Sequence, residues 1–361
     1  TKYLDKKYSE IKDKLGNIGE NKLLLITTIQ LIDEYFDLKQ RVSKQKVKID
    51  ELANKFHELK SLAIKYKDNK DIEINNFYPL GSTSVGDEIV FNNNEYKIED
   101  LTNFDYSKVN LAIFSAGSKV AEEYAKDFVN AGVYVIDLSS KFRYEKDIPL
   151  IIPEINGNEI NLLDAPSIIS NPNCSTSQLL MAIAPIHKEY EIDILNIATY
   201  QAVSGTGKQA VQELKNQIKD ESVNQEVYPK KIAFNVIPQC DIFLENDFTK
   251  EEMKLVWETK KILDNNIEVQ ATCARVPVIN GHSEAVFFRT KKETSREEII
   301  ELLNNSSGIK VIDNPESQEY PTPLENANDT EEVFVGRIRS QTINNENWIS
   351  MWIVADNVYG K

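Results

Sequence analysis

A chain of 361 residues with 41% hydrophobic and 27% charged content has room for two or three domains and a sizeable buried core. Its formal charge of −15 argues against nucleic acid or an anionic membrane as the main partner, since both reward clustered Lys and Arg; a small molecule is expected instead. No apolar run approaches the roughly 20 residues of a spanning helix and no secretory leader opens the chain, which implies a cytoplasmic protein without a membrane segment.

The charge is unevenly spread. Residues 1–67 hold 15 Lys and Arg against 10 Asp and Glu, a net of +5, which leaves −20 for the remainder and suggests two modules. Residues 3–15 read as a short helix and residues 16–19 as a turn. A long helix follows, in which Leu31, Tyr35, Leu38, Val42, Ile49, Leu52, Phe56, Leu59, Ala63 and Tyr66 recur at alternating steps of four and three, with Gln45 the one polar residue in the series. That period predicts a coiled-coil seam over residues 31–66 that pairs with a partner helix; the alternative is a long amphipathic helix packed on its own domain.

After Asp68 the period changes. Residues 88–91, 96–98 and 111–114 read as short strands, residues 118–131 as a helix ending before Gly132, and residues 133–138 as another strand, a parallel strand–helix–strand unit. Further on, residues 194–200, 268–276, 285–288 and 349–354 have strand character among helices, as in an α+β domain. Thr249 with Glu252 and Ser295 with Glu298 form capping boxes, the first opening a helix that runs to about Leu263.

Chemistry concentrates in Ser170-Asn171-Pro172-Asn173-Cys174-Ser175-Thr176-Ser177-Gln178, where a turn delivers a cysteine to the start of a helix predicted over residues 175–187. There the positive end of the helix dipole and free backbone N–H groups favour thiolate and can stabilise an oxyanion formed beside it. Taken alone, a cysteine is more often a small buried hydrophobe. The other two, Cys240 and Cys273, bring the count to an odd three without metal-ligand spacing, so neither a disulfide framework nor a metal site is suggested.

Asn-Cys-Ser-Thr-x-Gln resembles the active-site signature of aspartate-semialdehyde dehydrogenases. The resemblance extends from about Asn76 to Asn357 through IFSAG, VIDLSSKFR, IIPEIN, TYQAVSGTGK, AFNVIP, ATCARVPVINGHSEAV, YPTPL, VFVGRIR and WIVADN. It implies an enzyme of lysine, threonine and methionine biosynthesis that reversibly reduces β-aspartyl phosphate to aspartate β-semialdehyde with NADPH, releasing phosphate, through a thioester on Cys174. It also implies His282 as the acid/base group, in a loop after the strand at 268–276, and Gln201 as the residue that orients the substrate. Arg275 would clamp the α-carboxylate, Arg143 and Lys254 the phosphate, and Glu251 the amino group. Ser115, Gly117, Ser204, Gly205 and Asn357 match cofactor contacts. Glu251 and Lys254, three apart on a helix, share a face, which without the resemblance reads as a solvated ion pair. A homodimer or higher homo-oligomer is expected.

The first module, YLDKKYSEIKDKLGNIGENKLLLITTIQLIDEYFDLKQ, resembles a ZapA-type cell-division protein over residues 1 to about 67. It occupies the place where these dehydrogenases carry a strand, a Gly-rich loop and a helix for the cofactor pyrophosphate. No such loop precedes Phe77, and Thr83 and Asp87 stand where the family places cations against the 2′-phosphate. The chain opens at Thr1 and closes at Gly360-Lys361 as a fragment would at either end. Weak NADP binding is therefore expected, with NAD left open. The fold expected is α/β plus α+β: a helical coiled-coil segment (residues 1–70), an incomplete Rossmann-like cofactor domain (71–170), an α+β catalytic and dimerisation domain (171–345), and a return toward the cofactor domain (346–361). Two other functions compete: a coiled-coil interaction protein carrying an inactive dehydrogenase domain, and N-acetyl-glutamyl-phosphate reductase.

Overall fold

A computed structural model describes residues 74–82, 84–220 and 222–358, together with Ser9, Glu10 and Asp13. The expected short helix, the coiled-coil seam and the place of the Gly-rich loop lie outside the described residues. The chain divides into two compact units, residues 1–105 and 106–361.

In the first unit, β1 (Leu80–Gly81) pairs in parallel with β4 (Glu99–Asp100), and between them lies a hairpin of β2 (Glu88–Phe91) and β3 (Asn94–Lys97). β3 starts at Asn94 rather than Tyr96. Asn92 and Asn93 both take positive φ, 49° and 62°, which makes a two-residue turn and sets Phe91 opposite Asn94. Phe77 stacks on Phe91 with ring centroids 4.2 Å apart.

The second unit opens with β5 (Leu111–Phe114), α1 (Ser118–Asn130), β6 (Tyr134–Asp137) and β7 (Ile168–Ser170), a three-stranded parallel sheet in the order β5-β6-β7. This is the Rossmann-like arrangement expected, since a parallel pair needs a crossover and α1 supplies it. A short α2 (Pro153–Asn156) precedes α3 (Cys174–Tyr190), β8 (Ile192–Gln201), α4 (Lys208–Lys219), α5 (Lys250–Ile262), β9 (Glu268–Arg275), β10 (His282–Thr290), α6 (Arg296–Asn304), β11 (Ile309–Val311), β12 (Val333–Ile343) and β13 (Glu346–Ala355). The six strands from β8 onward form one mixed sheet, β11-β12-β13-β10-β8-β9.

Helix α3 lies against β8, β10, β12 and β13, with α5 and α6 beside it. Its apolar residues Leu179, Leu180, Ile183 and Ile186 are fully buried with Leu195, Phe288 and Ile349 from the sheet. On the opposite face Val354 and Phe334 are buried with Ala327, whereas Tyr200 and Phe287 are exposed, and Tyr200 packs on half-buried Trp352 at 5.5 Å. Both capping boxes form as expected. β10 is longer than residues 285–288: His282, Ser283 and Glu284 are polar yet already in the ladder, all three paired with β13 and the last two also with β8. No helix among the described residues is long and apolar enough to cross a membrane.

Phe288 sits between Leu195 and Ile349 in register, and all three are completely buried. Phe288→Ala is expected to cost about 3–5 kcal/mol, the usual loss for a buried phenyl group. Differential scanning calorimetry would show a drop in Tm of about 10 °C.

Candidate active site

The sheet gathers residues distant in sequence at one end. β8 ends at Gln201, which is in register with Arg275, the last residue of β9. β10 runs the other way and begins there with His282, which faces Ala355 near the end of β13, two residues before Asn357. Four of the expected site residues therefore sit along one rim because strand polarity puts them there. His282 is the first residue of a strand rather than part of a loop, since ladder pairing fixes its backbone.

Cys174 stands at the first position of α3, half-buried. Asn173 is its N-cap, and the Asn173 Oδ1 accepts from the N–H groups of Ser175 (3.0 Å) and Thr176 (3.4 Å). Those two amides are thus committed to the cap and are not the free oxyanion donors expected. The thiol also departs from expectation: burial, then the Glu251 carboxylate, push it up to about 11, against opposing pulls from Arg143, the Ser175 amide and Arg275. In the ligand-free protein, burial outweighs the helix terminus.

Glu251 is the hub. It is 6% exposed and accepts from Asn173 Nδ2 (3.1 Å), Gln201 Nε2 (3.1 Å) and Lys254 Nζ (2.8 Å). Burial opposes its charge, yet Lys254 and the two amides outweigh burial and hold the carboxyl below its ordinary range. Lys254 also donates to Asp241 at 2.9 Å. The pair is not the solvated contact that spacing alone suggests, because the two side chains are only 8% and 12% exposed. Gln201, 1% exposed, reaches Ser175 Oγ as well (3.1 Å) and so ties the strand rim to the start of α3.

The Ala202 peptide joins the other two polar residues of the rim. Its N–H donates to His282 Nδ1 (3.1 Å), and its carbonyl accepts from Arg275 Nη1 (2.6 Å). With Nδ1 an acceptor, neutral His282 carries its proton on Nε2, an atom that has no partner inside the protein. His282 is completely buried, and burial followed by Arg275 drives its imidazole down to about 3, so it is neutral at physiological pH. Gly205 fits closely over both groups: a methyl there would lie 3.1 Å from His282 Nε2 and from Arg275 Nη1.

Arg143 follows β6. Asp137 accepts from the Ser139 amide and hydroxyl (both 3.0 Å), and Arg143 Nε donates to the Ser139 carbonyl (3.0 Å). Its Nη1 reaches Glu258 (3.1 Å), and Glu258 Oε2 in turn accepts the Asn173 N–H (2.7 Å). The structure thus gathers Cys174, Gln201, Glu251, Lys254 and Arg143 into one network, with His282 and Arg275 on the adjoining rim. Sequence reasoning missed Asn173, Glu258 and Asp241. Glu258 had a readable signal, as it continues the Glu251, Lys254 face of α5 by another four residues.

Of the residues expected to meet a cofactor, Ser204 Oγ pairs with the Asn357 amide (3.0 Å), whose oxygen also accepts from the Gly281 N–H (2.8 Å). Ser115 and Gly117 lie apart from this pair, in the turn between β5 and α1. Gly117, at φ 94°, opens α1 without a side-chain cap and with open space where a Cβ would stand. A turn at the carboxyl end of a parallel strand with an uncapped helix start fits a dinucleotide.

Two family profiles match in tandem: semialdehyde dehydrogenase, NAD binding domain, over residues 52–163, and semialdehyde dehydrogenase, dimerisation domain, over residues 183–359. Cell division protein ZapA matches residues 1–63. The aspartate-semialdehyde dehydrogenase of Legionella pneumophila is 46% identical over 297 residues, 81% of this chain and 85% of its own. That of Aquifex aeolicus is 44% identical over 282 residues, 76% and 82% of the two chains. A crystal structure of aspartate semialdehyde dehydrogenase II from Vibrio cholerae complexed with ASA is similar with a TM-score of 0.77 at 38% identity, covering 83% of this chain and 88% of that one. Fold and matches define an oxidoreductase with an NAD(P)-binding domain and a dimerisation domain. The chain belongs to the aspartate-semialdehyde dehydrogenases. Neither competing function is favoured. The NAD-binding match begins at residue 52, upstream of Asn76 where the sequence resemblance starts.

Two outcomes follow from the charges. Because the Cys174 thiol sits near 11, its alkylation by iodoacetamide should rise about tenfold per pH unit from pH 7 to 10, and Glu251→Gln should speed it at pH 8 by removing a nearby negative charge. A plateau below pH 9 would refute this. His282, depressed from 6.5 to about 3, takes up a proton on unfolding, so stability falls as pH drops from about 6.5 toward 3. Urea unfolding of His282→Asn should show a slope with pH shallower by about 1.4 kcal/mol per unit in that window.

Proposed function

We propose that the chain catalyses the reversible NADP-dependent reduction of β-aspartyl phosphate to aspartate β-semialdehyde, with Cys174 as the nucleophile. The observation that carries this reading is the buried network around Asn173, which sets a thiol beside two fixed carboxylates, Glu251 and Glu258, and two fixed cations, Lys254 and Arg143. A substrate with one ammonium, one carboxylate and one phosphate needs that combination. Arg275, with Nε unpartnered, takes the α-carboxylate; Arg143 and Lys254 take the phosphate; Glu251 takes the ammonium.

Binding of the ammonium at Glu251 offsets the charge that raises the thiol, which draws Cys174 toward thiolate. The sulfur adds to the acyl carbon and the C–O bond to phosphate breaks, leaving a thioester. The Gly117 turn, Ser204 and Asn357 would hold NADPH, which would supply the hydride that reduces the thioester. Reduction gives a hemithioacetal oxyanion, which the His282 Nε2–H meets as a hydrogen-bond donor. The oxyanion re-forms the carbonyl as the C–S bond breaks, and the sulfur leaves as thiolate. The departing phosphate takes the proton that Cys174 gives up, and one proton from solvent restores the thiol after the sulfur leaves; His282, held neutral, donates a hydrogen bond and does not act as the base. The part of the sheet face that exposes Tyr200 and Phe287 beside half-buried Trp352 is the apolar surface for pairing of two dimerisation domains.

Assay of the purified chain with aspartate semialdehyde, phosphate and NADP is expected to give phosphate-dependent reduction of the nucleotide, abolished in Cys174→Ala. Parallel runs with NAD decide cofactor preference. N-acetyl-glutamate semialdehyde should be a poor substrate, because its amide has no charge to pair with Glu251. Turnover that survives Cys174→Ala would overturn the thioester reading.

A further inference from the structure

Helix α5 carries more charge into the site than substrate binding accounts for. Beyond Glu251 and Lys254, the same face presents Glu258, with no exposed surface, and Lys261. Both oxygens of Glu258 are used: Oε1 takes Arg143 Nη1 (3.1 Å) and the Tyr144 hydroxyl (3.2 Å), and Oε2 takes the Asn173 N–H (2.7 Å). One turn on, Lys261 Nζ donates to the carbonyls of Arg143, Glu145 and Ile148 at 2.7–2.8 Å. Arg143 is therefore gripped twice from α5, at its guanidinium and at its own carbonyl.

The donor count of the guanidinium is informative. Arg143 has five N–H donors; one goes to the Ser139 carbonyl, one to the Leu138 carbonyl (3.2 Å) and one to Glu258. Two remain. A side chain held on three sides with two donors left over is pre-ordered for one more acceptor, and the entropy of fixing it is spent at folding rather than at binding. The other oxygen of Glu258 holds the amide immediately before Cys174. One carboxylate thus fixes the spacing between an anion-binding arginine and the nucleophilic loop.

We propose that Glu258, supported by Lys261, is a positioning residue for phosphate: it orients Arg143 toward the anion and registers it against the Cys174 loop, without touching substrate. This rests on the reading of Arg143 as a phosphate ligand. A merely structural Glu258 neutralises a buried cation, and its loss weakens folding and all ligands alike. A positioning Glu258 acts on phosphate selectively. Glu258→Gln keeps the shape and one oxygen but replaces the other acceptor with a donor that opposes the Asn173 N–H.

The test is protection of Cys174 from iodoacetamide by inorganic phosphate, followed by mass spectrometry of the Cys174 peptide, alongside separate KM values for phosphate and semialdehyde. In Glu258→Gln, half-protection should need about tenfold more phosphate, the size of one lost charge-assisted hydrogen bond, with phosphate KM rising in parallel and semialdehyde KM changing less than about twofold. Lys261→Met, which leaves the buried pair intact, should shift phosphate in the same direction by less, and it carries the test if Glu258→Gln does not fold. Unchanged phosphate protection in the folded variant, or equal losses for both substrates, would overturn the proposal. Protection needs no nucleotide, so a chain inactive in the turnover assay would still report on Glu258.

Discussion

Glu251 and Glu258 are two carboxylates two turns apart on α5, both withdrawn from water, and between them they orient Lys254, Arg143 and the loop that carries Cys174. Removing such charges from solvent costs several kcal/mol per ion, recovered only where geometry is good and every lone pair is used. Both carboxylates come close to that condition, each accepting three hydrogen bonds spread over both of its oxygens. Unlike an apolar core of the same volume, the arrangement holds charges that are already desolvated and aimed.

Helix α5 can bear on the site only because the sheet brings the rest to it. Gln201 and Arg275 end parallel neighbours, while His282 begins the antiparallel strand between β8 and β13. Parallel and antiparallel pairing together put two strand ends and one strand start on a single rim. The Ala202 peptide then serves both as donor to His282 and as acceptor for Arg275. A shift of β8 by one residue would turn Gln201 away from Glu251 and break both contacts.

Local patterns made much of this legible. Capping boxes at Thr249 and Ser295, the β5–α1–β6 unit and the turn before Cys174 are written in neighbouring residues, and all form. The residues at 143, 201, 251, 254, 275 and 282 are picked out by the family resemblance and not by their own pattern, since a Gln before a Gly-rich turn or an i, i+3 ion pair says little by itself; the fold gathers them around Cys174. Other features depend on partners far along the chain. The polar start of β10 hid its true length, since the pairing that makes His282 a strand residue comes from Ala355 of β13, 73 residues further along the chain. Glu258 went unnoticed because its partners, Arg143 and Asn173, lie 115 and 85 residues away.

The thiol illustrates why local reading of charge misleads. A cysteine at a helix start sees a favourable dipole, but the field falls off within the first turn, and here the cap oxygen of Asn173 takes two of the amides that create it. Burial and Glu251 then dominate, and the resting sulfur stays protonated. A thiolate within reach of solvent is open to oxidation and alkylation, so a sulfur kept protonated by burial first and by a neighbouring carboxylate second is shielded from both. Glu251 is the smaller of the two restraints but the only one that a change of charge can lift without moving the chain.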